Sequence, residues 1–297
     1  MDGELVPWED AKIHVLSHVI HYGTGVFEGI RCYETPRGPA VFRLTDHLRR
    51  LYRSAAIYRL TLPYSLDELI DACKEAVRAN ELTSCYIRPV AFHGYGEMGV
   101  NLTDQPAKVF IAAWPWGSYL GDDCFESGVR LKVSSWRRHD PNIVPPGAKA
   151  TGQYVNSALA KSEAREAGYD EAIMLNPQGN VADGSGENFF LIQDGVLITP
   201  PEAAGILLGI TRDSVMRIAQ DLGYEVRERN LTRSDVYTAD EAFLCGTAAE
   251  VVPVSEVDQR PLASNGRGPI TKEIQQTFFA AVHGEIDRYA AWNELVA

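Results

Sequence analysis

The chain has 297 residues, of which 45% are hydrophobic and 23% are charged, and its formal net charge is −12. This length is sufficient for two domains or for one large domain with its own core. The acidic balance argues against nucleic acid or an anionic membrane as the main partner, and the apolar runs are too short to span a bilayer. The five cysteines show no CxxC spacing and no signal-peptide pattern opens the chain, so we expect a cytoplasmic protein with reduced thiols.

Two helices and two strands are predicted in the first part of the chain. Thr45 is placed as the N-cap of the first helix, in which apolar residues recur on one face. The segment Ser65-Leu66-Asp67-Glu68 has the composition of a capping box and opens the second helix. The predicted bounds are 45–60 and 65–80 for the helices, and 85–92 and 109–114 for the strands.

The second part of the chain mixes helices and strands without a regular alternation. Asp194-Gly195 between two strand-like runs is a strong hairpin signal, and Gly223 lies where a helix C-terminus favours glycine. Strands are predicted over 129–133, 171–175, 188–193, 196–199, 242–245 and 251–254, and helices over 153–167, 211–222 and 269–292. This order favours an α+β or irregular α/β fold over a doubly wound sheet, with a domain boundary near residue 120.

Lys149 is the main candidate for a nucleophile. It lies among small residues, so a bulky partner can approach it, but alone it is more typical of a solvated loop lysine. Gly209-Ile210-Thr211 opens a predicted helix, and Cys245-Gly246-Thr247-Ala248 follows a predicted strand. Both segments offer backbone N–H groups to an oxyanion. Together with the lysine they suggest a cofactor that carries a phosphate.

Two pairs of polar residues could bind or polarise a ligand. Tyr86 and Arg88 are two positions apart on one predicted strand, so their side chains point to the same face of the sheet, about 7 Å apart. A phenol and a guanidinium in this arrangement could bind a carboxylate. A surface pair at a sheet edge explains the same spacing equally well. Asp183 and Glu187 flank a glycine-rich turn and, on their own, are typical of solvated turn residues.

Two further patterns favour ordinary structure over chemistry. Residues 94–99 match G-x-G-x-x-G, but a nicotinamide oxidoreductase would need a helix directly after them, and a loop is predicted there. His14, His18 and His21 could line one helix face as metal ligands. No carboxylate or cysteine cluster accompanies them, so we expect no metal site.

Ordered motifs run along nearly the whole chain. They are Trp8-Glu9-Asp10-Ala11, His21-Tyr22-Gly23-Thr24-Gly25-Val26-Phe27-Glu28-Gly29-Ile30-Arg31, Tyr86-Ile87-Arg88-Pro89, Trp116-Gly117-Ser118-Tyr119-Leu120-Gly121, Ala148-Lys149-Ala150, Gly186-Glu187-Asn188, Gly209-Ile210-Thr211-Arg212-Asp213 and Gly246-Thr247-Ala248-Ala249-Glu250. In these motifs the chain resembles bacterial branched-chain amino-acid aminotransferases. These enzymes belong to the class IV pyridoxal-phosphate group, which also contains D-amino-acid aminotransferases.

The resemblance implies the mixed α/β (α+β) fold of class IV pyridoxal-phosphate enzymes, with two domains and the active site between them. A small N-terminal domain is expected over 1–115, a connector over 116–124 and a large pseudo-barrel domain over 125–297. Relatives begin with a further short strand before the segment that matches Gly3-Glu4. The sequence therefore does not establish which strand forms the edge of the small-domain sheet.

The implied activity is transamination between branched-chain L-amino acids (Leu, Ile and Val) and 2-oxoglutarate, with pyridoxal 5′-phosphate as cofactor. A class IV transaminase of D-amino acids or (R)-amines is the alternative. The partners implied are small amino acids and 2-oxo acids, and the assembly a homodimer or a homohexamer built as a trimer of dimers.

The resemblance also implies roles for individual residues. Lys149 would bind the cofactor as an imine and then move a proton between Cα and C4′, while Tyr154 would hydrogen-bond the phenolic oxygen. The family has a glutamate opposite the pyridine nitrogen where this chain has the shorter Asp183, and Glu187 is the alternative. The phosphate and ring would be held by Arg50, Leu207, Ile210, Thr211, Gly246 and Thr247. The substrate would be bound by Tyr22, Phe27, Gly29, Arg31, Tyr86, Arg88, Met98, Val100, Trp116, Tyr119, Thr247 and Ala248, some of them from a partner subunit, with Arg88 on the distal carboxylate of glutamate.

Overall fold

The computed structural model describes residues 1–103, 105–117, 119–121 and 123–297. Their contacts divide the chain into two compact units. The first unit contains Met1–Trp116, Ala148–Tyr154 and Val282–Ala297, and the second contains Gly117–Gly147 and Val155–Ala281. Residues 148–154 and 282–297 are thus grouped with the first unit, whereas the predicted division placed both in the large domain. The predicted domain bounds stay a prediction.

The first unit is built on an antiparallel sheet. Its helices are α1 (His18–Tyr22), α2 (Leu44–Ile57) and α3 (Leu66–Ala79), its strands are β1 (Gly25–Phe27), β2 (Ile30–Thr35), β3 (Gly38–Phe42), β4 (Cys85–His93), β5 (Ala107–Trp114) and a C-terminal strand Asn293–Leu295, and short 3-10 helices lie at Trp8–Asp10 and Asp287–Trp292. The strand order is β1-β4-β2-β3-C-terminal strand, and β5 pairs with β4. Because β1 and β2 pair with successive parts of β4, Glu28 and Gly29 lie at the break between them.

Helices α2 and α3 contribute the apolar residues that cover this sheet. Residues buried at helical spacing are Leu44, Leu48, Leu51 and Ala55 in α2, and Leu69, Cys73 and Val77 in α3. Burial of one leucine contributes about 1.5–3 kcal/mol, so the two stripes hold the helices in place. The capping box of α3 is confirmed, because the Glu68 N–H donates to Ser65 Oγ and the Ser65 N–H donates to Glu68 Oε2.

The second unit is a mixed sheet with helices. Its helices are α4 (Cys124–Ser127), α5 (Tyr154–Glu166), α6 (Ile210–Asp221), α7 (Arg233–Tyr237) and α8 (Pro269–Val282), a 3-10 helix lies at Glu202–Ala204, and its strands are β6 (Val129–Val133), β7 (Glu171–Leu175), β8 (Val181–Gly184), β9 (Asn188–Gln193), β10 (Val196–Thr199), β11 (Val226–Glu228), β12 (Glu241–Gly246), β13 (Glu250–Val257) and β14 (Arg260–Pro261). The strand order is β11-β10-β9-β12-β13-β6-β7-β8, and β14 pairs with β13. Asp183 of β8 also pairs with Asn188 of β9, so the strands from β9 round to β8 form a closed ring.

The strongest local signals of the second unit are confirmed. Asp194 and Gly195 have φ angles of 52° and 76°, as a two-residue hairpin turn between β9 and β10 requires. Gly223 follows α6 with φ 91°. Strands β8 and β11 and helix α7 were not predicted, because runs of three to five residues carry little periodicity.

Two sequence predictions are wrong. The last helix ends at Val282 and not at residue 292, because Gly284 adopts a φ of 73° and the chain then returns to pair with β3. Thr45 is not an N-cap, since α2 begins one residue earlier. Its N–H and hydroxyl instead donate to the Glu294 carboxylate at 2.7 and 2.8 Å. Within the described residues, the helices lack a segment that is both long and apolar enough to cross a bilayer.

Candidate active site

Lys149 is an ordered, partly buried amine in the first unit. The alanines on either side of it are fully buried. The Phe27 N–H donates to the Lys149 carbonyl at 2.9 Å, and the Lys149 N–H donates to Ser54 Oγ at 3.0 Å. Lys149 Nζ donates to Tyr154 Oη at 2.7 Å. The solvated-loop interpretation is therefore wrong, and the amine is held directly against a phenol.

Aromatic rings flank the same amine. Lys149 Nζ lies 5.1 Å from the ring centroid of Phe27 and 5.2 Å from that of Tyr154. The two ring centroids are 4.9 Å apart. Such faces attract a cation and replace water around it, so they shape the surroundings in which the amine reacts.

A second aromatic cluster surrounds Arg88. Tyr86 is buried on β4, between β2 and β5, so the interpretation as an edge-of-sheet surface pair is wrong. The Arg88 guanidinium carbon lies 4.8 Å from the ring centroid of Phe27, 5.3 Å from that of Tyr86 and 6.0 Å from that of Trp114. Among the described residues, the buried Arg88 Nε has no hydrogen-bond partner. Sequence reasoning missed Trp114, which reads only as the end of a strand.

The other predicted substrate residues fall into separate places. A Cβ on Gly29 would lie 1.8 Å from Tyr86 Oη, so this position requires glycine. The ring centroids of Trp116 and Tyr86 are 4.3 Å apart. Arg31 of β2 pairs with Tyr86 of β4 across the sheet. Tyr22, Met98 and Val100 are exposed in the first unit, whereas Tyr119, Thr247 and Ala248 belong to the second.

Arg50 lies in a buried charged cluster of the first unit. Its Nε and Nη2 donate to the two oxygens of Glu28, each at 2.7 Å, and His47 Nδ1 is 2.8 Å from Glu28 Oε2. Burial would raise the pKa of Glu28, but the charge and hydrogen bonds of Arg50 and His47 lower it to about 2. Burial also lowers the pKa of His47. Sequence reasoning missed Glu28 and His47, since their spacing alone does not show that they turn inward.

Asp183 is buried in the second unit, so its interpretation as a solvated turn residue is wrong. Asn188 Nδ2 donates to Asp183 Oδ1 at 2.8 Å, and the Leu207 N–H donates to Oδ2 at 3.0 Å. Arg138 Nη2 lies 3.6 Å from Oδ2. Burial raises the pKa of Asp183, and these neighbours oppose the rise by stabilising the carboxylate. Arg138 is a site residue that sequence reasoning missed.

Glu187 is also buried, but in different surroundings. Burial and the nearby Glu171 charge raise its pKa to about 8, even though Lys161 and the Gly186 N–H act in the opposite direction. At neutral pH this carboxyl is therefore mostly protonated. The two carboxyls named by the sequence thus differ in their surroundings, because Arg138 and two hydrogen bonds stabilise the Asp183 carboxylate, whereas the Glu171 charge disfavours the ionised form of Glu187.

Two turns of the second unit coincide with the segments that the sequence predicts to bind an oxyanion. Gly209 is the N-cap of α6, and its side-chain position is taken, because a Cβ there would lie 2.0 Å from Asn188 Oδ1. Thr211, in the first turn of α6, is buried. At the other segment β12 ends at Gly246, and Thr247 lies in the turn that follows. Both predicted oxyanion segments therefore have the expected local structure.

The two remaining patterns are structural. Residues 94–99 are followed by irregular chain in the described residues 100–103 and 105–106, and then by β5, whereas a nicotinamide site requires a helix. His18 contacts Thr24 Oγ1 at 2.7 Å and a backbone carbonyl at 2.6 Å, and His21 contacts another backbone carbonyl at 3.0 Å. His14 lies outside α1, so the three histidines do not share a helix face.

Comparison with known proteins agrees with this arrangement. Residues 25–257 match the family model described as amino-transferase class IV. The branched-chain-amino-acid aminotransferase of Escherichia coli (strain K12) is 50% identical over 296 residues, which cover 99% of this chain and 96% of that protein. The crystal structure of the Escherichia coli branched-chain amino acid aminotransferase matches with a TM-score of 0.98 at 50% identity, covering 100% of this chain and 98% of that one. The branched-chain amino acid aminotransferase from Thermobaculum terrenum, solved in its PLP-form, matches with a TM-score of 0.93 at 38% identity over 100% of this chain and 97% of that chain. The chain belongs to the class IV aminotransferase family.

Proposed function

We propose that this protein transfers the amino group between branched-chain L-amino acids and 2-oxoglutarate, with pyridoxal 5′-phosphate as its cofactor. The observation that carries the proposal is the hydrogen bond of Lys149 Nζ to Tyr154 Oη, in a chain that is half identical to branched-chain aminotransferases over nearly its whole length. A nucleophile within hydrogen-bond distance of a group that can accept its proton is typical of covalent catalysis.

The residues present fit the cofactor. Within the first unit, the Lys149 amine, the Tyr154 phenol and the buried Arg50 are groups that suit such a cofactor. Within the second unit, the buried Asp183 carboxylate and the N-terminus of α6 are groups of the same kind. Gly209, the N-cap of α6, packs directly against Asn188, because a Cβ there would lie 2.0 Å from Asn188 Oδ1. When bound, the cofactor supplies an electron-withdrawing ring that accepts charge from the substrate Cα.

Lys149 would bind the cofactor covalently and then act as the base and acid of the reaction. The substrate amino group would displace Lys149 from the cofactor, and the freed amine would then move a proton between the substrate Cα and C4′ of the cofactor. Tyr154, at 2.7 Å, keeps the amine in position and would hydrogen-bond the phenolic oxygen of the cofactor. The Phe27 and Tyr154 rings reduce the access of water to the same nitrogen.

Asp183 would hold the proton on the pyridine nitrogen. Its oxygens accept hydrogen bonds from Asn188 and Leu207, which favour the ionised form and fix the direction of the carboxylate. Burial raises the pKa of both carboxyls, that of Glu187 to about 8, but for Asp183 the neighbouring Arg138 charge and two hydrogen bonds oppose the rise. The side chain of Asp183 is shorter than glutamate, and its network of fixed donors supports the assignment over Glu187.

The cofactor phosphate would be bound by backbone N–H groups and by polar side chains. Ile210 and Thr211 lie at the first turn of α6, where the helix dipole favours an anion. Thr247 would add a hydroxyl, Leu207 would pack on the ring, and Arg50 would add a guanidinium charge.

The Arg88 cluster would bind substrates of two kinds. The Phe27, Tyr86 and Trp114 rings suit an apolar side chain, whereas the guanidinium suits the distal carboxylate of glutamate. Because Arg88 Nε is buried without a partner among the described residues, a carboxylate would satisfy it. Arg88→Met should therefore raise KM for glutamate at least tenfold, an order of magnitude expected for a lost charged hydrogen bond, and should change KM for leucine much less.

A coupled assay against 2-oxoglutarate tests the proposed activity. L-leucine and L-valine should be converted, and D-alanine and an (R)-amine should be poor substrates. The relatives that cover the whole chain carry the branched-chain name, which does not favour the D-amino-acid or (R)-amine alternative. Preference for D-alanine or the amine would overturn the assignment.

We also propose that the chain assembles at least as a dimer. Val15 and Val100, in the first unit, are 73% and 84% exposed, and their burial against another copy would remove apolar surface from water. Val100 is expected to line a substrate pocket, a role that it would fill from the partner subunit. Sedimentation velocity should show a dimer or larger species, and a monomer at micromolar concentration would contradict this proposal.

A further inference from the structure

Glu28 is a buried carboxylate that neither the sequence nor the proposed chemistry assigns to a role. It lies at the break between β1 and β2, where its N–H donates to the Pro89 carbonyl at 2.9 Å. Its side chain is fully buried and accepts hydrogen bonds from three nitrogens, namely Nε and Nη2 of Arg50 and Nδ1 of His47. Each carboxylate oxygen therefore has a fixed donor.

Stability alone is a weak reason for this arrangement. Removing two charges from water costs several kcal/mol per ion in general, and apolar residues of similar volume often replace a buried ion pair without loss. What apolar residues cannot do is orient a guanidinium. Two parallel N–H donations to one carboxylate fix the plane of the Arg50 group, and so fix the direction of Nη1, the nitrogen that Glu28 does not use.

Strand β1, which ends next to Glu28, and helix α2, which carries Arg50, also hold the backbone of Lys149. Phe27, adjacent to Glu28, donates its N–H to the Lys149 carbonyl. Ser54, one helical turn after Arg50 on α2, accepts the Lys149 N–H at 3.0 Å. The Glu28 carboxylate therefore links Arg50 of α2 to the end of β1. Because α2 and β1 also bind the backbone of Lys149, this link sets the spacing between Arg50 and Lys149.

We infer that Glu28 is a positioning residue, which holds the Arg50 guanidinium in the orientation that binds the cofactor phosphate, with His47 as its third hydrogen-bond donor. This inference rests on the proposed function, in which Arg50 is a phosphate ligand. Glu28 itself does not touch the phosphate. It acts by removing the rotamer freedom of Arg50 before the cofactor binds.

Cofactor titration of the Glu28→Gln enzyme tests this inference. The purified enzyme is stripped of cofactor and titrated with pyridoxal 5′-phosphate or with pyridoxal, which lacks the phosphate, with binding followed by cofactor absorbance. Kd for pyridoxal 5′-phosphate should rise about tenfold or more, as expected for a lost charge-assisted contact, whereas Kd for pyridoxal should stay within about twofold. An unchanged preference for the phosphorylated form would overturn the inference.

Glu294→Gln is the matched control. Glu294 accepts hydrogen bonds from Thr45 at the start of the same helix, so its loss weakens α2 without touching Arg50. If Glu28 served only to hold the helix, both variants would weaken the binding of both ligands equally, and that result would refute a positioning role.

Arg50→Ala separates this inference from the proposed function. If Arg50→Ala leaves the preference for the phosphorylated ligand intact, the phosphate role of Arg50 fails. If Arg50→Ala loses that preference and Glu28→Gln keeps it, only the role of Glu28 fails.

His47 provides a second pair of variants should Glu28→Gln not fold. His47→Asn can keep a donor near the position of Nδ1, whereas His47→Leu removes it. Only the leucine variant should bind pyridoxal 5′-phosphate several-fold more weakly. Equal binding by the two variants would count against the network.

Discussion

Replacing Glu28 by glutamine should change how the stability of the protein depends on pH. Burial would raise the pKa of Glu28, but the charge of Arg50 and the hydrogen bonds of Arg50 and His47 lower it from 4.5 to about 2. A carboxyl whose pKa is lower in the folded than in the unfolded chain stabilises the fold above the unfolded value, and this contribution is lost as the pH falls from about 4.5 to about 2. At about 1.4 kcal/mol per pKa unit, the full contribution is about 3 kcal/mol, of which about 2 kcal/mol is gone by pH 3.

Urea unfolding of the wild type and of Glu28→Gln at about pH 6 and about pH 3 measures this effect. The difference in unfolding free energy between the two proteins should shrink by about 2 kcal/mol on going to the lower pH. Glu285→Gln, which removes an exposed carboxyl, is the control. A difference that is the same at both pH values would mean that Glu28 is not held ionised by Arg50, and the reasoning would be refuted.

Two further variants test the second unit. In steady-state kinetics, Asp183→Asn should lower kcat by about 100-fold or more, because it removes a group that stabilises developing charge. Glu187→Gln should lower kcat by less than about tenfold. The reverse ranking would move the pyridine-nitrogen role to Glu187. Gly209→Ala should destabilise the protein by about 1–3 kcal/mol in thermal unfolding, because its Cβ would meet Asn188 Oδ1 at 2.0 Å. Gly147→Ala, whose Cβ would meet nothing within 4 Å, is the control, and equal losses would show that the packing argument is wrong.

Local signals in the sequence predicted the elements whose cause is local. The Asp194-Gly195 turn needs positive φ at both residues, and the Ser65–Glu68 capping box is completed within four residues. Thr45 shows the opposite case. Its composition is right for an N-cap, but Glu294, far away in sequence, takes its hydrogen bonds, and such a partner cannot be read from a local pattern.

In the candidate site, too, some features follow from local motifs and others depend on residues that are distant in sequence. Family motifs pointed to Lys149, Tyr154 and Asp183, and the structure places the first two in direct contact. The burial of Asp183 depends on the pairing of β8 with β9, which closes the ring of strands. The role of Glu28 depends on a helix that folds back over the break in a sheet. Both are consequences of tertiary structure, and residue types alone do not reveal them.

Borohydride reduction of the enzyme as purified with its cofactor, followed by peptide mapping, tests the central claim most directly. Reduction makes a covalent lysine–cofactor bond permanent. We expect a single labelled peptide with the pyridoxyl group on Lys149. In Lys149→Ala we expect both this label and the absorbance near 420 nm, which is typical of bound cofactor, to fall by about an order of magnitude or more, because the variant has no lysine at this position to form the covalent bond. A label on another lysine, or no label at all, would contradict the central claim.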